Sequence, residues 1–210
     1  MIRRTLILCA AAAVALSACG QPAEKSAQGG KPGELTFSIL SAENQASMEP
    51  LWAPLLADLS AATGVRVKPY FATNYTSLVE AMRFNQVQMG WFSASPALAA
   101  VRRANGEVLG RVVDAGGDAT YKSVVVVRKG SGITLDKLLA CDRTLNFGIG
   151  DTQSTSGTLA PLTYLFTPRN IEPAKCFKSV RSASHQANSF AVANGVLDAA
   201  TNNSVGLLFF

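Results

Sequence analysis

The sequence predicts an α/β fold, because strand and helix signals alternate along it from Glu34 to Thr201. Short apolar or alternating segments are followed by segments in which apolar residues recur at helical spacing. This βαβ order is typical of mostly parallel sheets with helices packed against them. The segment from Asp114 to Asp118 contains two adjacent glycines and interrupts the pattern. We therefore expect two α/β lobes, lobe I at residues 34–116 and lobe II at residues 117–210.

The elements of lobe I follow from periodicity and from helix-stop signals. Leu35 to Leu40 alternates as a strand, and the apolar residues from Met48 to Leu59 form one helical stripe that Gly64 ends. Ser95-Pro96 is a typical helix start. The other predicted elements are strands at 65–71, 87–92 and 108–113 and a helix at 75–84.

Lobe II begins with a strand of four consecutive valines, Ser123 to Val127. A continuous apolar strand is expected where a sheet is covered on both faces. A helix from Thr134 to Leu139 follows. The later predicted elements are strands at 145–149 and 177–182, a helix at 158–166, and further strands and helices as far as Thr201.

The most informative motif is the hydroxyl run Ser154-Thr155-Ser156-Gly157, which lies between a predicted strand and a predicted helix. Helix N-termini leave backbone N–H groups unpaired and carry the positive end of the helix dipole. Phosphate-like anions bind at such positions, and hydroxyl groups add neutral donors. Serine and threonine are also the commonest N-caps, so spacing alone supports simple helix capping equally well.

The N-terminus has the features of a lipoprotein signal peptide at residues 1–18. Arg3 and Arg4 precede an apolar run that is short for a membrane span, and small residues precede Cys19. This resembles a lipobox, which predicts lipidation at Cys19 and a membrane-anchored periplasmic protein; an ordinary signal peptide is the alternative. Residues 19–33 are polar and rich in glycine, so we expect a flexible tether.

Charge argues against a nucleic-acid partner. Loss of Arg3 and Arg4 with the signal lowers the 19 basic residues to 17, against 14 acidic residues, which leaves a net charge of +3. The basic residues form no cluster of the kind that binds a phosphate backbone.

Two cysteines remain beyond the signal and the lipidation site, Cys141 and Cys176. Each precedes a predicted strand, so both lie at the same sheet edge if those strands are parallel neighbours. Export favours a disulfide between them. The alternative is two buried free thiols.

Most of the chain after the tether resembles the periplasmic phosphonate/phosphite-binding proteins of bacterial ABC importers, a type II periplasmic-binding-protein family. The order and spacing of several segments carry this resemblance. They are Pro69 to Tyr75, Val79 to Asn85, Gly148 to Gly157, His185 to Asn188, Ala191 to Asn194 and Val196 to Asn203.

The resemblance implies two hinged lobes that close on a phosphonate, phosphite or phosphate-like anion and deliver it to a membrane permease. It implies six ligand-binding residues and no catalytic residue, metal or other cofactor. These residues are Tyr75, Tyr121, Ser154, Thr155, Ser156 and His185. We expect a monomer attached to the membrane only through its lipid.

Three departures from the family pattern qualify this hypothesis. Val205 follows Asn202-Asn203-Ser204, where family members often carry a glutamate that would suit an amine-bearing ligand. Gln186 replaces a frequent glutamate beside His185, which makes a charged imidazole less favoured. The family's hinge return and a ligand-contacting aspartate have no counterpart before Phe210, so we expect lobe II to be incomplete.

Two other functions remain open. A sensor or accessory lipoprotein could keep the fold without transport, and Val205 favours that reading modestly. An exported phosphate-ester hydrolase would also need an oxyanion cradle, but it would require an activated nucleophile or metal ligands. Ser154 and His185 could pair, yet no third group is apparent to orient the imidazole, so an enzyme is not expected.

Overall fold

The structure is a computed structural model that describes residues 33–40 and 42–208. The predicted signal peptide, Cys19 and the predicted tether as far as residue 32 lie outside the described residues. Within the described part of the chain, no helix is both long enough and apolar enough to cross a membrane.

Lobe I contains a three-stranded parallel sheet in the order β2-β1-β3, with a helix after each strand. Gly64 ends α1 in a left-handed conformation, as predicted, and its N–H donates to the carbonyl of Ser60. The strands are β1 Glu34–Ile39, β2 Arg66–Phe71 and β3 Met89–Trp91. The helices are α1 Gln45–Thr63, α2 Tyr75–Arg83 and α3 Ala94–Ala104.

Lobe II contains a four-stranded sheet in the order β4-β7-β5-β6. Phe147, Phe166 and Phe177 fill its core, with the rings of Phe147 and Phe177 stacked at 4.3 Å. The strands are β4 Ser123–Val127, β5 Asn146–Ile149, β6 Ser179–Ser182 and β7 Ala199–Asn203. The α-helices are α4 Leu135–Leu139, α5 Pro173–Cys176 and α6 His185–Ala193. Two π-helical segments, Thr155–Leu159 and Pro161–Phe166, and 3-10 turns at Thr167–Arg169 and Gly206–Leu208 complete the lobe.

The predicted strand at 108–113 is wrong. This segment has no regular secondary structure, and its apolar side chains are exposed, with Val108 71% and Leu109 81% accessible. Apolar composition alone does not make a strand, because the backbone N–H and C=O groups also need a partner strand. None of the described strands pairs with this segment.

The prediction that Ser123 to Val127 lies in a covered sheet is also wrong. β4 is an edge strand that pairs only with β7, and it does so in the antiparallel direction. Its three central valines are half-buried and its ends are exposed. β5, β6 and β7 are mutually parallel, as predicted for the sheet.

Cys141 and Cys176 form a disulfide bond with a Cα–Cα distance of 4.1 Å. β5 and β6 are parallel neighbours, and the two cysteines precede them at the same edge of the sheet. The bond therefore closes the end of lobe II opposite the carboxyl ends of its parallel strands.

Candidate functional site

The carboxyl ends of the parallel strands in the two lobes face each other. Hydrogen bonds join the loops after β1, β2 and β3 to the segments after β5 and β6. Ligands of open α/β sheets bind beyond the carboxyl ends of strands. Polar segments at the strand ends of the two lobes therefore meet in the fold.

The hydroxyl run is held by a close approach between two glycines. A Cβ atom built on Gly150 would lie 2.7 Å from the Cα of Gly157, so neither position has room for a side chain. The Gly157 carbonyl accepts from the N–H of Gly150 at 2.9 Å and from the Thr201 hydroxyl at 2.6 Å. The turn is thereby fixed against the ends of β5 and β7.

The helix expected at 158–166 has π-helical rather than α-helical hydrogen bonding. Pro161 has no N–H to donate to Gly157, four residues earlier, and that carbonyl is already occupied. The N–H groups of Leu159 and Ala160 donate five residues back, to Ser154 and Thr155. Such π-helical turns are frequent at functional sites.

Ser154 and Ser156 converge on the imidazole of His185. The Nε2 atom of His185 lies 3.4 Å from the Ser154 hydroxyl oxygen and 3.5 Å from that of Ser156. All three side chains are buried. The Ser154 hydroxyl also accepts from the N–H of Gly157 at 3.0 Å, so Ser154 is both an N-cap and a member of this cluster.

Burial lowers the pKa of His185 from its usual 6.5 to about 4. Its Nδ1 atom is buried and makes no hydrogen bond within the described residues. The imidazole is therefore neutral at neutral pH, and it offers the cluster a neutral ring nitrogen rather than a cation.

Tyr75 brings lobe I to the same cluster. It is the first residue of α2 and is buried, and its hydroxyl lies close enough to the Ser154 side chain to interact with it. Burial raises the pKa of Tyr75 well above its usual value, and the negative charges of Asp151 and Glu43 reinforce this shift. Tyr121 lies close enough to add a smaller effect of the same sign, although its side chain is 40% exposed.

Thr155 points toward lobe I rather than toward His185. Its hydroxyl oxygen accepts from the N–H of Ser95 at 2.8 Å and donates to the Ser93 hydroxyl at 3.3 Å. Of the six predicted site residues, the structure joins Tyr75, Ser154, Ser156 and His185 in one cluster, with Tyr121 and Thr155 beside it.

Sequence reasoning missed the role of two lobe II residues. The sequence distinguishes Gln186 only by the charge that it lacks, yet its side chain bonds to Asn44 and Ser47 of lobe I. Asp151 accepts from the N–H of Tyr75 at 3.4 Å. Their positions just after strands could have marked them, but the identity of their partners depends on how the lobes meet.

Val205 lies just beyond β7, beside the segment that contains Tyr121. Ser204 exchanges hydrogen bonds with the backbone of Lys122, which extends the β4–β7 pairing toward this position. Val205 is partly exposed and has no group that could pair with an ammonium. Within residues 33–40 and 42–208, no three His, Cys, Asp or Glu side chains are grouped as metal ligands would be.

Comparison with protein families gives one match over most of the chain. The family described as ABC transporter, phosphonate, periplasmic substrate-binding protein matches residues 37–208. The chain is 44% identical over 174 residues to the phosphonates-binding periplasmic protein of Escherichia coli, covering 82% of this chain and 51% of that protein. It is 29% identical over 206 residues to the phosphate-import protein PhnD of Mycolicibacterium smegmatis, covering 92% of this chain and 63% of that protein. The chain thus spans about half to two thirds of the length of these relatives.

Solved structures of other binding proteins share the fold. A binding-protein component of an ABC phosphonate transporter from Pseudomonas aeruginosa superposes with a TM-score of 0.80 at 40% identity, covering 82% of this chain and 58% of that one. PhnD1 from Prochlorococcus marinus in complex with methylphosphonate superposes with a TM-score of 0.73 at 26% identity, covering 84% and 66%. These similarities confirm the predicted α/β class and its periplasmic-binding-protein architecture.

Proposed function

The chain belongs to the periplasmic substrate-binding proteins of phosphonate ABC transporters, and from this membership we propose that it captures a phosphonate, phosphite or phosphate-like oxyanion. The bound anion is passed to an ABC permease. The protein acts as a monomer that is anchored to the membrane by a lipid on Cys19. It binds its ligand without altering it chemically, so it needs neither a metal nor another cofactor. Its ligand-binding residues are Tyr75, Tyr121, Ser154, Thr155, Ser156 and His185.

The observation that carries this proposal is the convergence of neutral polar groups from both lobes at one buried point. Ser154, Ser156 and His185 of lobe II meet there, and the Tyr75 hydroxyl reaches Ser154 from lobe I. Hydrogen bonds to a charged partner contribute about 1.5–3 kcal/mol each. Several such donors and the N–H groups of the turn are enough for micromolar affinity, about −8 kcal/mol.

The ligand class follows from the neutral character of these groups and from Val205. A glutamate in place of Val205 would favour a phosphonate that bears an ammonium group. Valine has no charge to attract such a group. We therefore propose a small anion such as phosphite, phosphate or methylphosphonate.

Isothermal titration of the full chain tests this proposal with phosphite, phosphate, methylphosphonate, 2-aminoethylphosphonate and sulfate. At least one of the first three is expected to bind, and Ser154→Ala is expected to weaken that binding tenfold to a hundredfold. Ser179→Ala is the matched control, because Ser179 donates to Asn146 at the opposite end of the same sheet. Absence of binding by every anion, with the chain folded, would contradict the proposal.

The hydrolase alternative has less support. Ser154 and His185 have side-chain atoms 3.4 Å apart, as a nucleophile and base would. Nothing among the described residues bonds to Nδ1 to orient the ring. The sensor alternative rests on Val205. Testing whether a cognate permease accepts the anion-loaded protein distinguishes a sensor from a transport protein.

A further inference from the structure

We infer that Thr201 and Asn202, two neighbouring residues of β7, are positioning residues of the anion site. Thr201 holds the turn that carries the serine hydroxyls, and Asn202 holds the start of the helix that carries His185. They act on the anion through these groups rather than by touching it. This inference rests on the proposed function, because the site that they position is the one proposed there.

β7 lies between two packed layers of lobe II. Successive side chains of a strand point to opposite faces of its sheet. Ala199 packs into the aromatic core on one face, and Ala200 packs against α6 on the other. By the same alternation, Thr201 faces the layer that contains the hydroxyl run, and Asn202 faces α6. One strand therefore supports both halves of the cluster.

Thr201 anchors the turn through its hydroxyl group. The residue is fully buried, and its hydroxyl donates to the Gly157 carbonyl at 2.6 Å. The N–H of the same glycine donates to the Ser154 hydroxyl oxygen at 3.0 Å. The ring of His185 lies against this glycine as well, since a Cβ atom built on Gly157 would be 3.0 Å from the His185 Cε1 atom. A shift of Gly157 would therefore displace both the hydroxyl and the imidazole.

Asn202 anchors the first turn of α6 through its side-chain amide. It is also fully buried, and its Nδ2 atom donates to the His185 carbonyl at 3.2 Å and to the Ser189 hydroxyl at 2.7 Å. Its Oδ1 atom accepts from the N–H of Asn203 at 2.8 Å, which fixes the orientation of the amide. His185 and Ser189 are one helical turn apart, so the amide joins that turn to β7.

This anchoring matters because the imidazole has little else to hold it. Its Nδ1 atom makes no hydrogen bond within the described part of the chain. Its Nε2 atom lies 3.4 Å and 3.5 Å from the two serine hydroxyl oxygens, beyond the range of about 2.7–3.2 Å for strong hydrogen bonds. The spacing of the three groups is therefore set by their backbones, and β7 holds both backbones.

Thr201→Val tests the turn side, because it removes the hydroxyl at nearly constant size. Isothermal titration of the full chain with phosphite, phosphate and methylphosphonate is expected to show binding weakened about three- to tenfold. Thr201→Ser keeps the hydroxyl and should bind within about twofold of the unmodified chain.

Asn202→Leu tests the helix side, because it removes the amide at similar size. Anion binding should weaken about tenfold. The imidazole proton resonance, followed by NMR without any anion, should titrate above about pH 5 instead of near pH 4, because a displaced ring is less buried. Asn188 still donates to the Ile149 carbonyl at 3.1 Å, so the start of α6 should shift rather than unfold.

Asn146→Leu is the matched control, since the Asn146 side chain bonds to Asp198 and Ser179 at the opposite end of the same sheet. It should lower stability but leave anion binding and the imidazole midpoint unchanged. Equal losses of binding in Asn146→Leu and Asn202→Leu, or in Thr201→Ser and Thr201→Val, would overturn the inference.

The two measurements separate this inference from the proposed function. If the unmodified chain binds none of the three anions, the proposed function fails, and an imidazole midpoint that stays near pH 4 in Asn202→Leu then overturns the positioning role as well. If Asn202→Leu does not fold, Thr201→Val compared with Thr201→Ser decides by the same two measurements.

Discussion

The two lobes share an α/β construction but differ sharply in what they bury. Ser38 is the only buried polar side chain of lobe I among the described residues. Lobe II buries eight: Ser154, Ser156, Thr158, His185, Gln186, Asn188, Thr201 and Asn202.

From this difference we propose that lobe II is the organised half of the site and lobe I the half that closes on it. Burying a polar group costs desolvation free energy unless the group is hydrogen-bonded. In lobe II, hydrogen bonds made by Thr201 and Asn202 offset this cost for their side chains. Lobe I contributes helix ends and Tyr75, whose ring packs in the lobe I core with Leu78 and Val79. Three predictions test this contrast, from the largest effect to the smallest.

The stability of lobe II should depend on its disulfide bond, whereas lobe I contains no cysteine. Replacing both Cys141 and Cys176 by serine should lower the free energy of unfolding by about 4 kcal/mol, because the disulfide closes a loop of 35 residues. Urea unfolding followed by far-UV circular dichroism measures the change, since both tryptophans of the chain lie in lobe I. The unmodified chain under dithiothreitol is the control, and a loss below about 1 kcal/mol in both would show that the lobe does not need the link.

Acid should destabilise lobe II through His185, the one histidine of the chain. Burial lowers the pKa of His185 to about 4 in the folded chain. Between pH 6.5 and pH 4 the imidazole is therefore protonated in the unfolded chain but neutral in the folded chain. This contribution to stability is complete above pH 6.5 and is lost as the pH falls toward 4. It amounts to about 3 kcal/mol.

The imidazole proton resonance should titrate near pH 4 in the folded chain, and no other histidine overlaps it. His185→Gln, which does not titrate, should show a flatter dependence of unfolding free energy on pH over this interval. An imidazole midpoint above pH 6 would refute the prediction.

The smallest effect should come from the lobe I side of the cluster. Tyr75→Phe removes one hydroxyl and should weaken anion binding about tenfold or less while leaving the free energy of unfolding within about 0.5 kcal/mol. Ser154→Ala should reduce both quantities, because Ser154 also caps its helix through Gly157. Titration calorimetry and urea unfolding of the two variants decide the matter. A larger loss of binding in Tyr75→Phe would reverse the proposed division between the lobes.

Local signals were enough for most elements. The helical stripe before Gly64 and the alternation of Leu35 to Leu40 correspond to α1 and β1, because period and stop residue are properties of the chain itself. The hydroxyl run was also evident from the sequence, although its spacing alone supported simple helix capping equally well. The boundary at residue 116 and the roles of the six site residues stay predictions.

The errors occurred where a segment's structure depends on a distant partner. Residues 108–113 have strand-like composition but no partner strand among those described, and the valines of β4 lie at an edge. The π-helical turn after Ser154 depends on Thr201, which lies in a strand more than forty residues away. Its hydroxyl donates a hydrogen bond to the carbonyl of Gly157. Gln186 and Asn44 are 142 residues apart, and nothing local to either one indicates the other.

The sequence by itself determined the α/β class, the order of most strands and helices, and the hydroxyl run, since these depend on periodicity, turn residues and capping within short stretches. Only the tertiary structure decided that Ser154 and Ser156 face His185 while Thr155 and Gln186 face lobe I. The physical reason is that hydrogen bonds are directional and short, so the partner of a polar side chain is set by which strand ends meet across the cleft.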